Sequence, residues 1–280
     1  LKVIMFNPIL GKTIFDFRIQ IFGWGIGMGL LALLIVLVYP SISSTYGDIM
    51  KEMPEGMMAF FGGNSSLHNF EGYLSQELFN PAPLALSVFA ILAGTQTIVG
   101  EESQGTLELI LVQPISRFKV FISKALGLLI ANGAIIFIML VIFSFGVLVA
   151  DVKVNTTRIL NAFLLLWPFL ATISFLSMLL SLLFSSRIFA GTVMAVLIVA
   201  SFILHGLSNL VSWLETYRHI YITAYFQGRN ALTSEVSFGH VITLLAVLIA
   251  ASFISLYLFI KRDIGVASSI SILKFHKSDS

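Results

Sequence analysis

The longest run of chemically active side chains in the sequence reads EESQGTLELILVQPISRFKVFISK. It opens with the carboxylates Glu101 and Glu102 and closes with the cations Arg117, Lys119 and Lys124. A bilayer core would not accept such a cluster of charged groups. We therefore expect this stretch to lie in water, between the two apolar runs that flank it.

The motifs of catalysis are missing from the sequence. An intramembrane protease needs paired aspartates, H-E-x-x-H or a serine–histidine dyad. Neither of the first two occurs, and His205 has no nucleophile at a fixed spacing. With no cysteine and five histidines that show no ligand spacing, no metal site is expected. No G-x-x-x-x-G-K-[ST] occurs either, so we predict a chain that is not an enzyme and does not hold ATP itself.

Composition indicates a polytopic membrane protein. The chain is 58% hydrophobic and 11% charged, with a mean hydropathy of +0.98. A soluble domain has about half apolar and about a quarter charged residues. The net charge of +2 is small and the basic residues are dispersed, which argues against a nucleic-acid partner.

Six apolar runs are long enough to cross a hydrocarbon core about 30 Å thick. We predict an all-α polytopic membrane protein that forms a single transmembrane domain over residues 1–280. The predicted spans are 19–39, 79–100, 121–149, 159–184, 188–210 and 238–260.

The segments outside the spans have their own predicted roles. Residues 1–18 are predicted to form a helix in the membrane interface, although they could also be a helical lead-in to the first span. Residues 40–78 are predicted to be a polar loop and 261–280 a tail. Residues 211–238 carry Trp213, Tyr217, Tyr221 and Tyr225 at every fourth position, which predicts an amphipathic helix at headgroup level.

Polar and small residues inside the spans allow two interpretations each. Gln96 and Thr97, and the serines 174, 177 and 181 that share a helix face, could line a substrate path or bond neighbouring helices. The pairs Gly23–Gly27 and Gly25–Gly29 allow close helix approach, either within this chain or with a second copy. The predicted candidates for a substrate path are Gln96, Thr97, Ser174, Ser177 and Ser181.

A short amphipathic helix is predicted over residues 106–113 in the loop 101–120. Thr106 can cap its start, and Leu107, Ile110 and Leu111 share one face. Pro114 cannot continue the helix and makes Gln113 extended. The pattern indicates a short helix at the water-facing end of the bundle, or else an ordinary connecting loop.

Basic residues predict the orientation in the membrane. We call side A the side of the amino terminus, the 101–124 loop, Arg187 and the carboxyl tail. Side A holds eleven of the Lys and Arg residues and the opposite side holds five. The excess of positive charge in short segments marks the cytoplasmic side. We therefore expect side A, with both termini, to be cytoplasmic.

The same stretch resembles a known family. GTLEL at 105–109 and QPISR at 113–117, with Lys124 further on, resemble the permease subunits of type-2 ATP-binding-cassette (ABC) exporters. FIKRDI at 259–264 and the segment 54–63 are similar to that family as well. The resemblance covers the whole chain in span number and order.

The resemblance implies a permease that is driven by a separate cytosolic ATPase. Two copies of that ATPase would bind ATP and magnesium, and a second permease subunit, by default an identical one, would complete the complex in the plasma membrane of a bacterium or archaeon. The cargo would be a drug, a peptide antibiotic, a lipid or, in the alternative, sodium. The implied coupling residues are Glu101, Glu102, Gly105, Thr106, Leu107, Glu108, Pro114 and Arg117.

A secondary transporter or channel is the rival class. Such proteins place ionisable residues near the midplane of their spans. None of the six predicted spans has a charged residue at its centre. The sequence therefore favours transport driven from outside the chain over transport coupled to an ion gradient.

Overall fold

The structure is a computed structural model that describes residues 8–52, 54–60 and 69–262. Within these residues the regular structure is helical and contains no strand. Two 3-10 turns and one π-helical turn interrupt or join the α-helices. In chain order the helices are α1 (Pro8–Glu52), α2 (Glu55–Phe60), α3 (Phe70–Glu77), α4 (Ala82–Thr95), α5 (Glu101–Ser103), α6 (Thr106–Leu111), α7 (Arg117–Ala150), α8 (Thr156–Phe184), α9 (Arg187–Ser208), α10 (Ser212–Glu215), α11 (Gly228–Thr233) and α12 (Phe238–Lys261).

Six helical segments of the described chain are long and apolar enough to cross a membrane. This confirms the predicted all-helical class with six candidate spans. The segments are Pro8–Ser43, Ala82–Ser103, Arg117–Ala150, Thr156–Phe184, Arg187–Ser208 and Phe238–Lys261.

Helix α1 is longer than the sequence predicts. It runs unbroken through the boundary predicted at residue 18 and through Pro40, into the predicted loop 40–78. The last turn before Pro40 packs on α3: the Tyr39 ring contacts Phe70 and Tyr73, with ring centroids 5.0 and 5.1 Å apart. The Tyr73 hydroxyl also donates to the Ile35 carbonyl. An interfacial position for the first turns stays a prediction, and residues 1–7 lie outside the described chain.

The most extensive helix contact in the bundle joins α1 to α7. It uses one of the two predicted glycine pairs. Gly25 and Gly29 face Ile138 and Ile142, and a Cβ atom at Gly29 would lie 2.6 Å from Ile142 Cδ1. The second pair, Gly23 and Gly27, has no neighbouring atom within 4 Å. The first pair therefore packs within the chain, and the second leaves an open face.

Helices α4 and α8 approach each other closely at Gly94. A Cβ atom there would overlap the carbonyl oxygen of Ser174 and lie 2.9 Å from Ser177 Cβ. Ser174, Ser177 and Ser181 are completely buried. Ser177 and Ser181 donate to backbone carbonyls of α8, and Ser174 accepts from Asn132 Nδ2 at 3.1 Å. These contacts favour the interpretation of the serine stripe as a helix interface.

Substitution of Gly94 by alanine is expected to destabilise the bundle by about 2 kcal/mol, because the added methyl group must push α4 away from α8. Gly23→Ala is the matched control, since its methyl group would meet open space. Thermal unfolding of the purified variants in detergent measures the difference. Equal stability of the two variants would contradict the close approach at Gly94.

The prediction of a continuous amphipathic helix over residues 211–238 is wrong. The chain there forms α10, two 3-10 turns (Arg218–Ile220 and Ile222–Tyr225) and α11. The aromatic residues do not form one edge, because Tyr221 is buried while Trp213 is exposed. The Tyr221 hydroxyl donates to the Leu214 carbonyl, and the Thr223 amide donates to Ser201 Oγ of α9. A straight helix could not make these contacts, so tertiary bonding overrides the four-residue period.

Candidate functional site

The candidate site begins where the second span ends, at a π-helical turn over Gln96–Gly100. Such turns are rare and occur often at functional sites. Here the turn passes directly into the short helix α5, with a Gln96 side chain folded against Gly100. It places Glu101 in the interior of the bundle, 7% exposed, and leaves Glu102 nearer the surface.

Glu101 is the centre of an ion-pair network that joins three helices. Its Oε2 atom lies 2.6 Å from Lys124 Nζ of α7, and its Oε1 atom lies 3.6 Å from Lys12 Nζ of α1. Lys12 also pairs with Asp16 at 2.7 Å. The Lys124 side chain is 1% exposed. Removing either Glu101 or Lys124 would leave a buried charge without a partner. Their ion pair therefore holds the end of the second span against α7, and Lys12 extends the network to α1.

Glu102 makes the second connection, to the end of the sixth span. It lies 3.0 Å from Arg262 Nε, and Arg262 Nη1 donates to the Leu182 carbonyl of α8 at 2.9 Å. Arg117 at the start of α7 donates to the Ile260 carbonyl at 3.1 Å and to the Arg262 carbonyl. Cations at a helix carboxyl end satisfy carbonyls that have no partner within the helix. The two arginines therefore tie α12 to α5, α7 and α8.

Helix α6 is a short amphipathic helix, as predicted, but its start differs. Gly105 has φ of +70° and precedes the first helical residue, a backbone conformation that favours glycine. Thr106 is therefore not the capping residue. It lies inside the helix, and its hydroxyl donates to the Glu101 carbonyl at 3.2 Å. The helix also ends at Leu111, before Gln113.

The two faces of α6 have opposite environments. Leu107 is fully buried and Ile110 nearly so. By contrast, Leu109 and Val112, the residue that follows the last turn, are 71% and 85% exposed. The helix is thus held to the bundle by one apolar face and presents a second apolar surface outward.

A rigid connection joins α6 to α7. The residues after the helix include the exposed Pro114, and the Ile115 amide donates to the Gln113 carbonyl at 2.7 Å. Ser116 caps α7 by accepting from the Lys119 amide. Since Pro114 fixes its own φ angle and restricts Gln113, the link resists bending.

The predicted path residues separate into two groups. Gln96 lines a polar cavity of about 540 Å³ together with Lys12, Glu101 and Thr106. Thr97 also lines it, although its hydroxyl donates to the Ala93 carbonyl of its own helix. The three serines do not line this cavity; they lie in the packing around Gly94 and Asn132.

Sequence reasoning missed the three basic partners of the acidic pair. Lys12, Lys124 and Arg262 were identified only as charges that set the orientation or, for Lys124, as part of the family pattern. A signal was available, because Lys124 lies about two turns inside an apolar helix, where a cation requires a partner. Glu101 and Glu102 are the nearest carboxylates in sequence, and the structure pairs them with Lys124 and Arg262.

The described chain is thus a multi-pass helical membrane protein in which the ion pairs of Glu101 and Glu102 lie at one end of the bundle. Comparison with protein families identifies it further. The chain matches the family described as ABC-2 family transporter protein over residues 9–264, and it belongs to that family. The matched region is a membrane permease domain, a transport subunit without an ATPase domain, and such permeases work with ABC ATPase subunits. Comparison with curated proteins gives no match.

Proposed function

We propose that this chain is the membrane subunit of an ATP-driven exporter and that the segment 101–117 couples it to a cytosolic ATPase. The outward face of α6 is the observation that carries the proposal. Leu109 of α6 and Val112, directly after it, expose apolar side chains beside a helix that is otherwise fixed to the bundle. Exposed apolar surface bordered by polar groups, such as Glu108 and Gln113, is typical of a protein-binding site.

The contacts of the segment define a path for force. A push on α6 acts on the bundle through the buried side chains of Leu107 and Ile110. It also acts through Glu101 and Glu102, whose ion pairs connect α5 with α1, α7 and the end of α12. ATP and magnesium would bind the partner, and closure of two ATPase copies would move α6. The chain itself supplies the connection between that motion and the spans.

The complex we propose contains a second permease subunit, by default an identical one, in the plasma membrane with side A cytoplasmic. The excess of basic residues on side A supports that orientation. Most residues of the fifth and sixth spans are not buried within a single chain, which leaves faces that a second copy could cover and so supports pairing. The cargo we propose is a hydrophobic or amphipathic molecule, because the charged groups described above lie at the end of the bundle and not within it.

Reconstitution with the ATPase that co-purifies tests the function. We expect export from vesicles only when ATP, magnesium and the ATPase are all present, and we expect a transported compound to raise ATP hydrolysis. Screening drugs, peptide antibiotics, lipids and sodium for that stimulation identifies the cargo. Transport at full rate by the permease alone would contradict the proposal and favour a secondary transporter.

A further inference from the structure

The polar cavity on side A has more positive charge than its own carboxylates neutralise. It lies between the start of α1, the π-helical turn and the amino end of α9. Its acidic residues, Asp16 and Glu101, are already paired with lysines. Arg18 and Arg187 also line it, and neither has a carboxylate partner among the described residues. Arg18 Nη1 donates to the Phe15 carbonyl at 2.7 Å, and its guanidinium lies over the Phe15 ring. The remaining N–H groups of Arg18 and the guanidinium of Arg187 are therefore available to an anion.

Two glutamines add adaptable polar groups to the same cavity. The side-chain oxygens of Gln20 and Gln96 are buried and have no hydrogen-bond partner in the described part of the chain. Each amide carries two donors and one acceptor and can reverse their positions by rotation. A ligand that has both an anionic group and hydroxyl groups would complement the arginines and the amides together.

An apolar groove of about 470 Å³ continues from this cavity along α1. Gln20 lines both spaces, which makes them adjacent. Gly23 and Gly27 form the open floor of the groove, and Trp24 and Met28 line it. From Gln20 to Met28 the helix rises about 12 Å. This is a length suited to part of one acyl chain.

We propose that the cavity and the groove together bind one anionic phospholipid with a hydroxylated headgroup. The phosphate lies between Arg18 and Arg187, and the headgroup hydroxyls bond the two glutamine amides. One acyl chain follows the groove over Gly23 and Gly27. A helix of a second copy could fill the groove alone, but its apolar surface would leave both arginines without a counter-charge. The binding does not depend on ATP or on coupling through α6.

The headgroup contacts are tested with the double variant Arg18→Gln/Arg187→Gln. The full chain, purified with the ATPase that accompanies it and without nucleotide, is titrated with phosphatidylglycerol or phosphatidylcholine in mixed micelles. Bound lipid is counted by native mass spectrometry. We expect the double variant to bind phosphatidylglycerol roughly 30-fold more weakly than the unmodified chain. Lys119→Gln, which removes an exposed cation on side A, is the control and should retain binding.

The groove is tested separately with Gly27→Leu, whose Cβ atom would have no neighbouring atom within 4 Å. Gly239→Leu on α12, also at an uncrowded position, is its control. We expect Gly27→Leu alone to weaken lipid binding, and inorganic phosphate to compete only weakly. Equal binding of phosphatidylcholine, equal loss in Lys119→Gln, or a site filled by phosphate alone would overturn the proposal. Loss of dimer without loss of lipid in Gly27→Leu would assign the groove to a second copy instead.

Discussion

Replacement of Glu101 by glutamine should destabilise the permease by about 3–5 kcal/mol, the cost of leaving a buried cation without its partner. The cation is Lys124, whose ammonium group lies 2.6 Å from the carboxylate and whose side chain is 1% exposed. Lys12 at 3.6 Å loses the same partner, but it retains Asp16 and is more exposed. Yield of folded protein after membrane extraction, together with thermal unfolding in detergent, measures the effect.

A second substitution makes this prediction specific to the ion pair. In Glu101→Gln/Lys124→Met both charges of the pair are removed, and replacing both partners of a buried pair by groups of similar size is often neutral. We therefore expect the double variant to regain most of the lost stability. Glu235→Gln, at an exposed position before α12, controls for loss of a carboxylate. A double variant that is less stable than Glu101→Gln would show that the pair does not act as a unit.

Glu108→Lys should abolish the coupling between ATP hydrolysis and export while leaving the protein in the membrane at normal levels. Glu108 is half-buried on α6 beside the exposed Leu109. No ion pair or side-chain hydrogen bond holds its carboxylate in the described chain, so the reversal breaks no internal contact. Charge reversal at a complementary interface costs several kcal/mol. We expect ATP-dependent export to fall at least about tenfold.

Pro114→Gly should also reduce ATP-dependent export, but for a different reason. Glycine removes the restriction on the link between α6 and α7, so that motion of α6 bends the link rather than moving the span. Binding of the ATPase should persist in this variant, whereas in Glu108→Lys it should weaken. Each variant is compared with the unmodified complex by its export rate, its rate of ATP hydrolysis and the amount of ATPase that co-purifies. As a control, Glu235→Lys makes the same charge reversal on the opposite side of the membrane, and this variant should transport normally. Wild-type export in both Glu108→Lys and Pro114→Gly would contradict a coupling role of the segment 101–117.

The fold was largely predictable because hydrophobic runs and helix-breaking residues determine structure within their own segment of the chain. Apolar runs locate the spans, and Pro81 and Pro83 occur at the entrance of the second one, where α4 begins at Ala82. The exceptions arise from contacts between distant residues. Helix α1 is packed against α3 through the Tyr39 and Tyr73 rings just before Pro40, and the 211–238 region folds back because of bonds such as that between Thr223 and Ser201.

The location of the candidate site in the sequence was predicted, but the residues that pair with Glu101 and Glu102 were not. The motif around Gly105 and Pro114 identified a short helix and a stiff link by local backbone rules. The pairing of Glu101 with Lys124 and of Glu102 with Arg262 joins residues 23 and 160 positions apart in sequence. Such contacts depend on how the spans pack, which helical periodicity does not specify. The open glycine face of α1 became evident only when the other face was seen against α7.

Site-specific labelling of Val112 tests the central claim most directly. The sequence contains no cysteine, so Val112→Cys provides a single thiol at a position that is 85% exposed. We expect a membrane-impermeant maleimide to react with it only from the cytoplasmic side, and we expect the bound ATPase to protect it. Trp213→Cys, on the opposite side and also exposed, should react only from outside. Labelling of Val112→Cys from outside the cell, or labelling unaffected by the ATPase, would contradict the account.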